Sequence, residues 1–248
     1  VQRGGPPDKP VLLFDYDPSR SGVVPLRLLE GYRGFVQCDG YEGYGAVGKR
    51  EDITLIGCWA HARRKFDEAI KAQGKKGKGK AGRATKGLSL IQKLYRIEKL
   101  ARELTPEERL AMRQAQAVPL LDEIRAWLDK SLPEVPPQSA VGKALHYLHG
   151  QWEKLVRYTE DGRLDIDNNA AERAIRPFVI GRNNWLFSDT VRGAEASARL
   201  YSLIATAKAN GHEPYRYLCH VFTELPAATS VADIEALLPF NISAEALK

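Results

Sequence analysis

The stretch that decides the fold is "GFVQCDGYEGYGAVGKREDITLIGCWAHARRKFDEAI", residues 34–70. It holds two short apolar runs, residues 34–39 and 53–59, each bounded by turn residues. Runs this short, rich in Val, Ile and Phe, predict buried strands. Between them "YEGYGAVG" predicts a short helical or irregular crossing, and "AHARRKFDEAI" predicts a helix after the second run. Upstream, "VLLFDY" (residues 11–16) predicts another buried strand and "DPSRSG" a turn. "VVPLRLLEGY" predicts a short helix that tolerates Pro25 in its first turn. This β-α-β-α-β rhythm predicts an α/β fold with parallel strands and right-handed crossovers, where chemistry gathers beyond the carboxyl ends of the strands. Asp39 stands at one of those ends.

Further along, the period becomes helical. Leu90, Leu94, Ile97, Ala101 and Leu104 follow 4-3-4-3 spacing, the seam of a helix facing another helix. "TPEE" at residues 105–108 predicts a capping box, and Leu120, Leu121, Ile124, Trp127 and Leu128 make a second stripe. After "LPEVPPQS", Ser139 predicts a cap, and Val141, Leu145, Leu148, Trp152 and Leu155 repeat the seam. The aromatics of this region read as core without chemistry. Later, "FVIGRNNWLFSDTVRG" reads as a polar and aromatic loop. It precedes a helix with Leu200, Leu203, Ile204 and Ala207 on one face, ended by Asn210-Gly211.

With 248 residues and 44% apolar content the chain can bury a core, in one domain or one domain with an insertion. No apolar run approaches membrane-spanning length, and no secretory signal is present. Three scattered cysteines, Cys38, Cys58 and Cys219, fit a reducing cytoplasm better than a disulfide framework. The start, "VQRGGPPDKP", lacks an initiator Met and points to a fragment of something longer. The net charge of +6 is local. Seven of the 37 basic residues fall in residues 71–86, where there is no acid, and the rest of the chain holds 30 bases against 31 acids. The Gly-rich tract around Lys75, Lys76, Lys78 and Lys80 predicts a mobile loop, either a solvated linker or a phosphate-tracking arm.

Two carboxylates stand out. Asp39 reads either as a rigidly held ligand for a hard divalent ion or as a strand-to-turn Asp accepting backbone hydrogen bonds. Glu172, in "GRLDIDNNAAERAIRP" (residues 162–177), fits a capping box with Asn169 as N-cap. Asp167 and Asn168 are rival caps, so the site offers more capping groups than one helix start needs. Cys58 and His61 form a single C-x-x-H pair without a convincing second pair for structural zinc, and His61 shares a helix face with Arg64 and Lys65. No G-x-S-x-G, P-loop or G-x-G-x-x-G occurs, which disfavours Ser-His-Asp and nucleotide-dependent enzymes.

Four blocks, "GFVQCDGYEGY", "CWAHARRKFDEA", "DIDNNAAERAIRPFVIGRNNWLFSDTVRGAEASARLYSLIATAKANG" and "ALLPFN", together resemble the C-terminal part of transposases of the insertion-sequence 66 family. The resemblance implies an RNase H-like recombinase in which three carboxylates hold two Mg²⁺ or Mn²⁺ ions for in-line phosphoryl transfer on DNA. It makes Asp39 the second acid and Glu172 the third. Asn168, Asn169 and His61 become supporting residues, and Arg63, Arg64, Arg173 and Arg176 DNA contacts, with the two last one helical turn apart on the glutamate helix. The organisation it implies is a partial RNase H-like core (1–70), a basic flexible loop (71–87) and a large all-helical insertion (88–160). A return to the core with the glutamate helix (161–212) and a C-terminal helical tail (213–248) complete it. The partners implied are transposon-end and target DNA, further copies on DNA and accessory transposition proteins, in the bacterial cytoplasm or on the nucleoid. The family's first Asp belongs upstream of "VLLFDY", and Asp15 and Asp17 do not replace it, so the chain alone is expected to be inactive or nearly so. The alternatives are a non-catalytic DNA-binding or multimerising remnant of such an enzyme, and an unrelated α/β protein.

Overall fold

Phe35 and Val36 on one strand and Ile53, Leu55 and Ile56 on the next supply the apolar, partly β-branched side chains that a buried strand pair needs. The computed structural model describes residues 2–6, 8–72, 82–185, 188–243 and 245–247. Its strands are β1 (Gln2–Gly4), β2 (Val11–Leu13), β3 (Gly34–Gln37) and β4 (Ile53–Ile56). The helices are α1 (Val23–Leu28), α2 (Trp59–Ala72), α3 (Arg83–Leu100), α4 (Pro106–Met112), α5 (Val118–Ser131) and α6 (Ala140–Val156). Then follow α7 (Asn169–Ala174), α8 (Arg176–Trp185), α9 (Val191–Ala209), α10 (Pro214–Glu224) and α11 (Val231–Ala236). The chain divides into two compact units, Val1–Ser19 with Asn169–Lys248, and Arg20–Asn168.

In the larger unit β3 and β4 pair in parallel, Gly34 opposite Ile53 and Gln37 opposite Ile56. The Cys38 N–H donates to the Ile56 carbonyl at 3.0 Å and carries the ladder one residue further. Helix α2 follows β4 directly. Its buried Trp59, Ala62, Phe66 and Ala69 share one apolar cluster with Leu90, Ile91 and Leu94 of α3, Ile124 and Leu128 of α5, and Leu145 and Leu148 of α6. The long helical region therefore packs onto the strand–helix pair as part of a common core. Gly87 marks a close approach, because a Cβ there would lie 2.6 Å from the Phe66 ring and 2.8 Å from Trp127. The expected caps form. Thr105 and Glu108 make the reciprocal capping box at α4, and Ser139 accepts from the Gly142 N–H at α6.

One turn departs from the α-helical period. Residues Arg113–Ala117 form a π turn that rotates Arg113 inward, where it is fully buried. Its Nε and Nη2 donate to the two Glu98 carboxylate oxygens at 2.9 and 2.7 Å. Nη1 serves the carbonyls of Tyr158 and Asp161, and Nη2 also that of Leu164, at 2.8–2.9 Å. All the N–H donors of the guanidinium are used, which is the condition for burying its charge beside Glu98 without a large penalty.

Three expectations are corrected. The run at residues 11–16 does not join a parallel sheet. Its strand β2 pairs antiparallel with β1, Arg3 opposite Leu12, through a reversal at Gly5, whose φ is +84°. An apolar run carries no record of its partner's direction, and the described residues are mostly helical with two two-stranded sheets, one of them parallel. Helix also takes in both ends of the basic tract: α2 reaches Ala72 and α3 begins at Arg83. Lys71 pairs with Asp67 at 2.6 Å, Lys86 with Glu123 at 3.5 Å, and Arg83 with Glu134. Lys75, Lys76, Lys78 and Lys80 lie outside the described residues. Finally, much of the polar stretch after Arg176 is helix α8, with Pro177 in its first turn where a missing N–H costs nothing.

In the smaller unit α9 runs along β2. Thr206 Oγ1 accepts from the Leu12 N–H at 3.1 Å and donates to the Leu12 carbonyl at 3.0 Å. Ser202 accepts from the Phe14 N–H at 2.8 Å, and Asn210 Nδ2 donates to the Pro10 carbonyl at 2.9 Å. This polar stripe at i, i+4 and i+8 satisfies main-chain groups that an edge strand would otherwise leave open. Phe14, Phe178 and Tyr201 pack beside it, with ring centroids 5.1–6.2 Å apart. Among the described residues no helix is long and apolar enough to cross a membrane.

Candidate active site

Asp39 follows the carboxyl end of β3, half-buried, with Oδ1 accepting the Tyr41 N–H at 3.1 Å. That Asx-type turn fixes the carboxylate's direction. Its surroundings are dry on one side. Burial pushes the neighbouring Cys38 thiol up to about 11, with the Lys154 ammonium working against the shift and the Asp39 charge adding to it. The hydroxyls of Tyr44 and Tyr147 are likewise raised, first by burial and then in part by Asp39, Tyr147 to about 12. Tyr147, from α6, crowds the turn: a Cβ on Gly40 would lie 2.9 Å from its ring and its hydroxyl oxygen. A held carboxylate of this kind suits a hard divalent ion, which binds oxygen and demands a fixed geometry. The Cys38 thiol, buried and kept protonated, does not suit a softer one.

Beyond β4, Cys58 is buried and its thiol is raised by burial, although the Asn168 N–H donates to Sγ at 3.3 Å and works the other way. His61 is half-buried in the first turn of α2, whereas Arg63 and Arg64 are exposed. The Arg63 guanidinium stands 5.9 Å from the centre of the Tyr95 ring.

The tract at residues 165–168 leads into the glutamate helix. It has no ladder of its own, and it is held residue by residue. Gln37 Nε2 donates to the Asp165 carbonyl at 2.7 Å, and the Trp59 N–H to the Ile166 carbonyl at 3.1 Å. The Tyr95 hydroxyl donates to Asp167 Oδ2 at 2.9 Å. Helix α7 then starts at Asn169, so Asn168 precedes the helix and Asn169 lies inside its first turn, one residue from the expected capping register. Glu172 is half-buried and Arg173 exposed on that helix. Arg176 is exposed too, but on α8 rather than on the helix of Glu172. Pro177 explains the break, since it has no N–H to continue the α7 ladder. The unit boundary falls between Asn168 and Asn169, so Asp39, His61, Arg63, Arg64 and Asn168 belong to the larger unit, and Asn169, Glu172, Arg173 and Arg176 to the smaller.

Sequence reasoning missed Tyr95, Tyr147 and Gln37. Trp127 and Trp152 do pack in the core as expected, each against an aromatic of α2. The two tyrosines, however, carry their polar ends to the tracts of the candidate acids. Their half-burial at seam-flanking positions left no periodic signal that separates them from core aromatics.

A model described as the transposase IS66 family matches residues 1–196, and one described as the IS66 C-terminal element matches residues 202–240. Among curated proteins, the uncharacterized protein y4hP of Sinorhizobium fredii (strain NBRC 101917 / NGR234) is 34% identical over 242 residues, covering 94% of this chain and 44% of that protein. The uncharacterized protein y4qI of the same strain is 31% identical over 245 residues, covering 96% of this chain and 44% of its own length. The chain thus spans less than half the length of these relatives. No solved structure matches. The two family matches together cover nearly the whole sequence, and the chain belongs to the IS66 transposase family.

Proposed function

We propose that this chain forms part of a DDE-type DNA transposase with an RNase H-like catalytic core, in which Asp39 and Glu172 are two of the acids that hold Mg²⁺ or Mn²⁺. The observation that carries the reading is the placement of Asp39 at the carboxyl end of a parallel strand, its carboxylate oriented by the Tyr41 N–H. Family membership gives that carboxylate a reaction to serve. When bound, the ions supply charge neutralisation for attacking and leaving oxygens in an in-line phosphoryl transfer. The protein's part is positioning. Asp39 and Glu172 contribute oxygen ligands on rigid starts and ends of elements, and Asn168 and Asn169 fix the entry into α7. His61 supports the same site. The exposed Arg63, Arg64, Arg173 and Arg176 meet DNA phosphates, together with the lysine tract at Lys75, Lys76, Lys78 and Lys80. DNA is the partner, further copies assemble on it with accessory proteins, and the work is done in the cytoplasm or on the nucleoid. The family's first acid has no counterpart that we assign within these residues, so activity is to be measured in the complete gene product. There, Asp39→Asn and Glu172→Gln should each abolish Mg²⁺-dependent nicking of a plasmid carrying the element, with melting temperature and DNA affinity retained. Cleavage at the wild-type rate by either variant contradicts the assignment.

A further inference from the structure

Among the contacts that hold the tract at residues 165–168, four are of unequal kind. Three involve the main chain of the tract and come from Gln37, Cys58 and Trp59, at the ends of the two parallel strands. The fourth grips a side chain and comes from the helical region: the Tyr95 hydroxyl on Asp167 Oδ2, at 2.9 Å. Tyr95 packs against the central apolar cluster, so its hydroxyl is presented from a fixed base. The base is anchored one turn further along α3, where Glu98 receives both arms of the buried Arg113. Arg113 in turn holds the carbonyls of Tyr158, Asp161 and Leu164, the chain immediately before the tract. One face of α3, Tyr95 and Glu98 at i and i+3, thus governs the path from residue 158 to Asp167, directly and through Arg113.

From this we propose that Tyr95 is a positioning residue, acting through Asp167 to set the start of the helix that carries Glu172. It rests on the metal-ligand reading of Glu172. A ligand on a helix start is only as well placed as the residues leading into it, and partners beyond the ligands tune metal affinity. The helical region then serves the site as well as filling the core.

The test uses Tyr95→Phe, which removes one oxygen and keeps the packed ring. In the complete gene product the half-saturating Mn²⁺ concentration for DNA nicking should rise by about tenfold, with the rate largely recovered at high Mn²⁺ and DNA affinity unchanged. Asp167→Asn, which retains an acceptor for the Tyr95 hydroxyl, should lose less. In the 248-residue chain, amide hydrogen exchange in Tyr95→Phe should quicken at residues 167–174 and stay unchanged at β3 and β4. An unchanged Mn²⁺ midpoint, or unchanged exchange at residues 167–174, overturns the proposal. The failures separate cleanly. If Glu172→Gln still cleaves DNA, the metal-ligand reading is wrong. If Glu172→Gln is inactive while Tyr95→Phe matches wild type, only the positioning role is.

Discussion

Gly40 has no room for a side chain. A Cβ there would stand 2.9 Å from the ring and hydroxyl of Tyr147, a distance at which something must shift. The aromatic ring is rigid and packs against the central cluster, so the turn that carries Asp39 is the softer side. Gly40→Ala should therefore cost about 1–3 kcal/mol, the usual range for overpacking, measured by urea denaturation. Adding Tyr147→Ala should recover part of that loss, because the clash is then gone. Strictly additive losses would show that the two residues do not constrain each other. Asp39 itself could be picked out in the sequence because it ends a short apolar run. Tyr147 could not, since nothing in a helical period says which strand end a side chain reaches. Arg113 was hidden for a different reason: nothing in "RQAQA" (residues 113–117) announces the π turn that brings it inside.

At the scale of elements, the best-read parts are those whose rules are local. The Thr105 capping box, the Ser139 cap, the apolar seam of α6 and the Leu90, Leu94 and Ile97 part of the seam of α3 form where their spacing places them, whereas α3 ends at Leu100, before Ala101 and Leu104. Pairing between distant segments was not legible. The strand at residues 11–13 found an antiparallel partner, and main-chain groups of Leu12 and of its flanking Phe14 and Pro10 are taken by Thr206 and Ser202 of α9 and by Asn210 at its C-cap. A polar stripe at helical spacing looks like a solvated face, yet Thr206 is 4% exposed while Leu200, read as part of the apolar face, is 42% exposed. Thr206→Val, nearly equal in shape, should destabilise the chain by about 1–3 kcal/mol, because it leaves a buried N–H and a carbonyl of Leu12 without partners. Thermal or urea unfolding measures this, and an unchanged midpoint would mean that β2 does not depend on the stripe.

For the whole molecule, the proposed DNA partner makes the placement of charge the property to test. The net charge of +6 stems from one tract, and three of its bases, Lys71, Arg83 and Lys86, are engaged with Asp67, Glu134 and Glu123. On the proposed reading, the remaining attraction to DNA should come mainly from Lys75, Lys76, Lys78 and Lys80. Replacing those four with Ser should weaken DNA binding and flatten its salt dependence, by about 0.9 in log–log slope for each phosphate no longer neutralised. Affinity that stays the same at low and moderate salt would remove the tract from the interface.

The central claim is the proposal that Asp39 and Glu172 are both acids that hold Mg²⁺ or Mn²⁺. It is tested most directly by loading the complete gene product with Fe²⁺ and generating hydroxyl radicals at the bound ion. Backbone cleavage should then cluster near both residue 39 and residue 172, be competed by Mg²⁺, and disappear from both places in Asp39→Asn. Cleavage near only one of the two, or a pattern indifferent to Asp39→Asn, would contradict it.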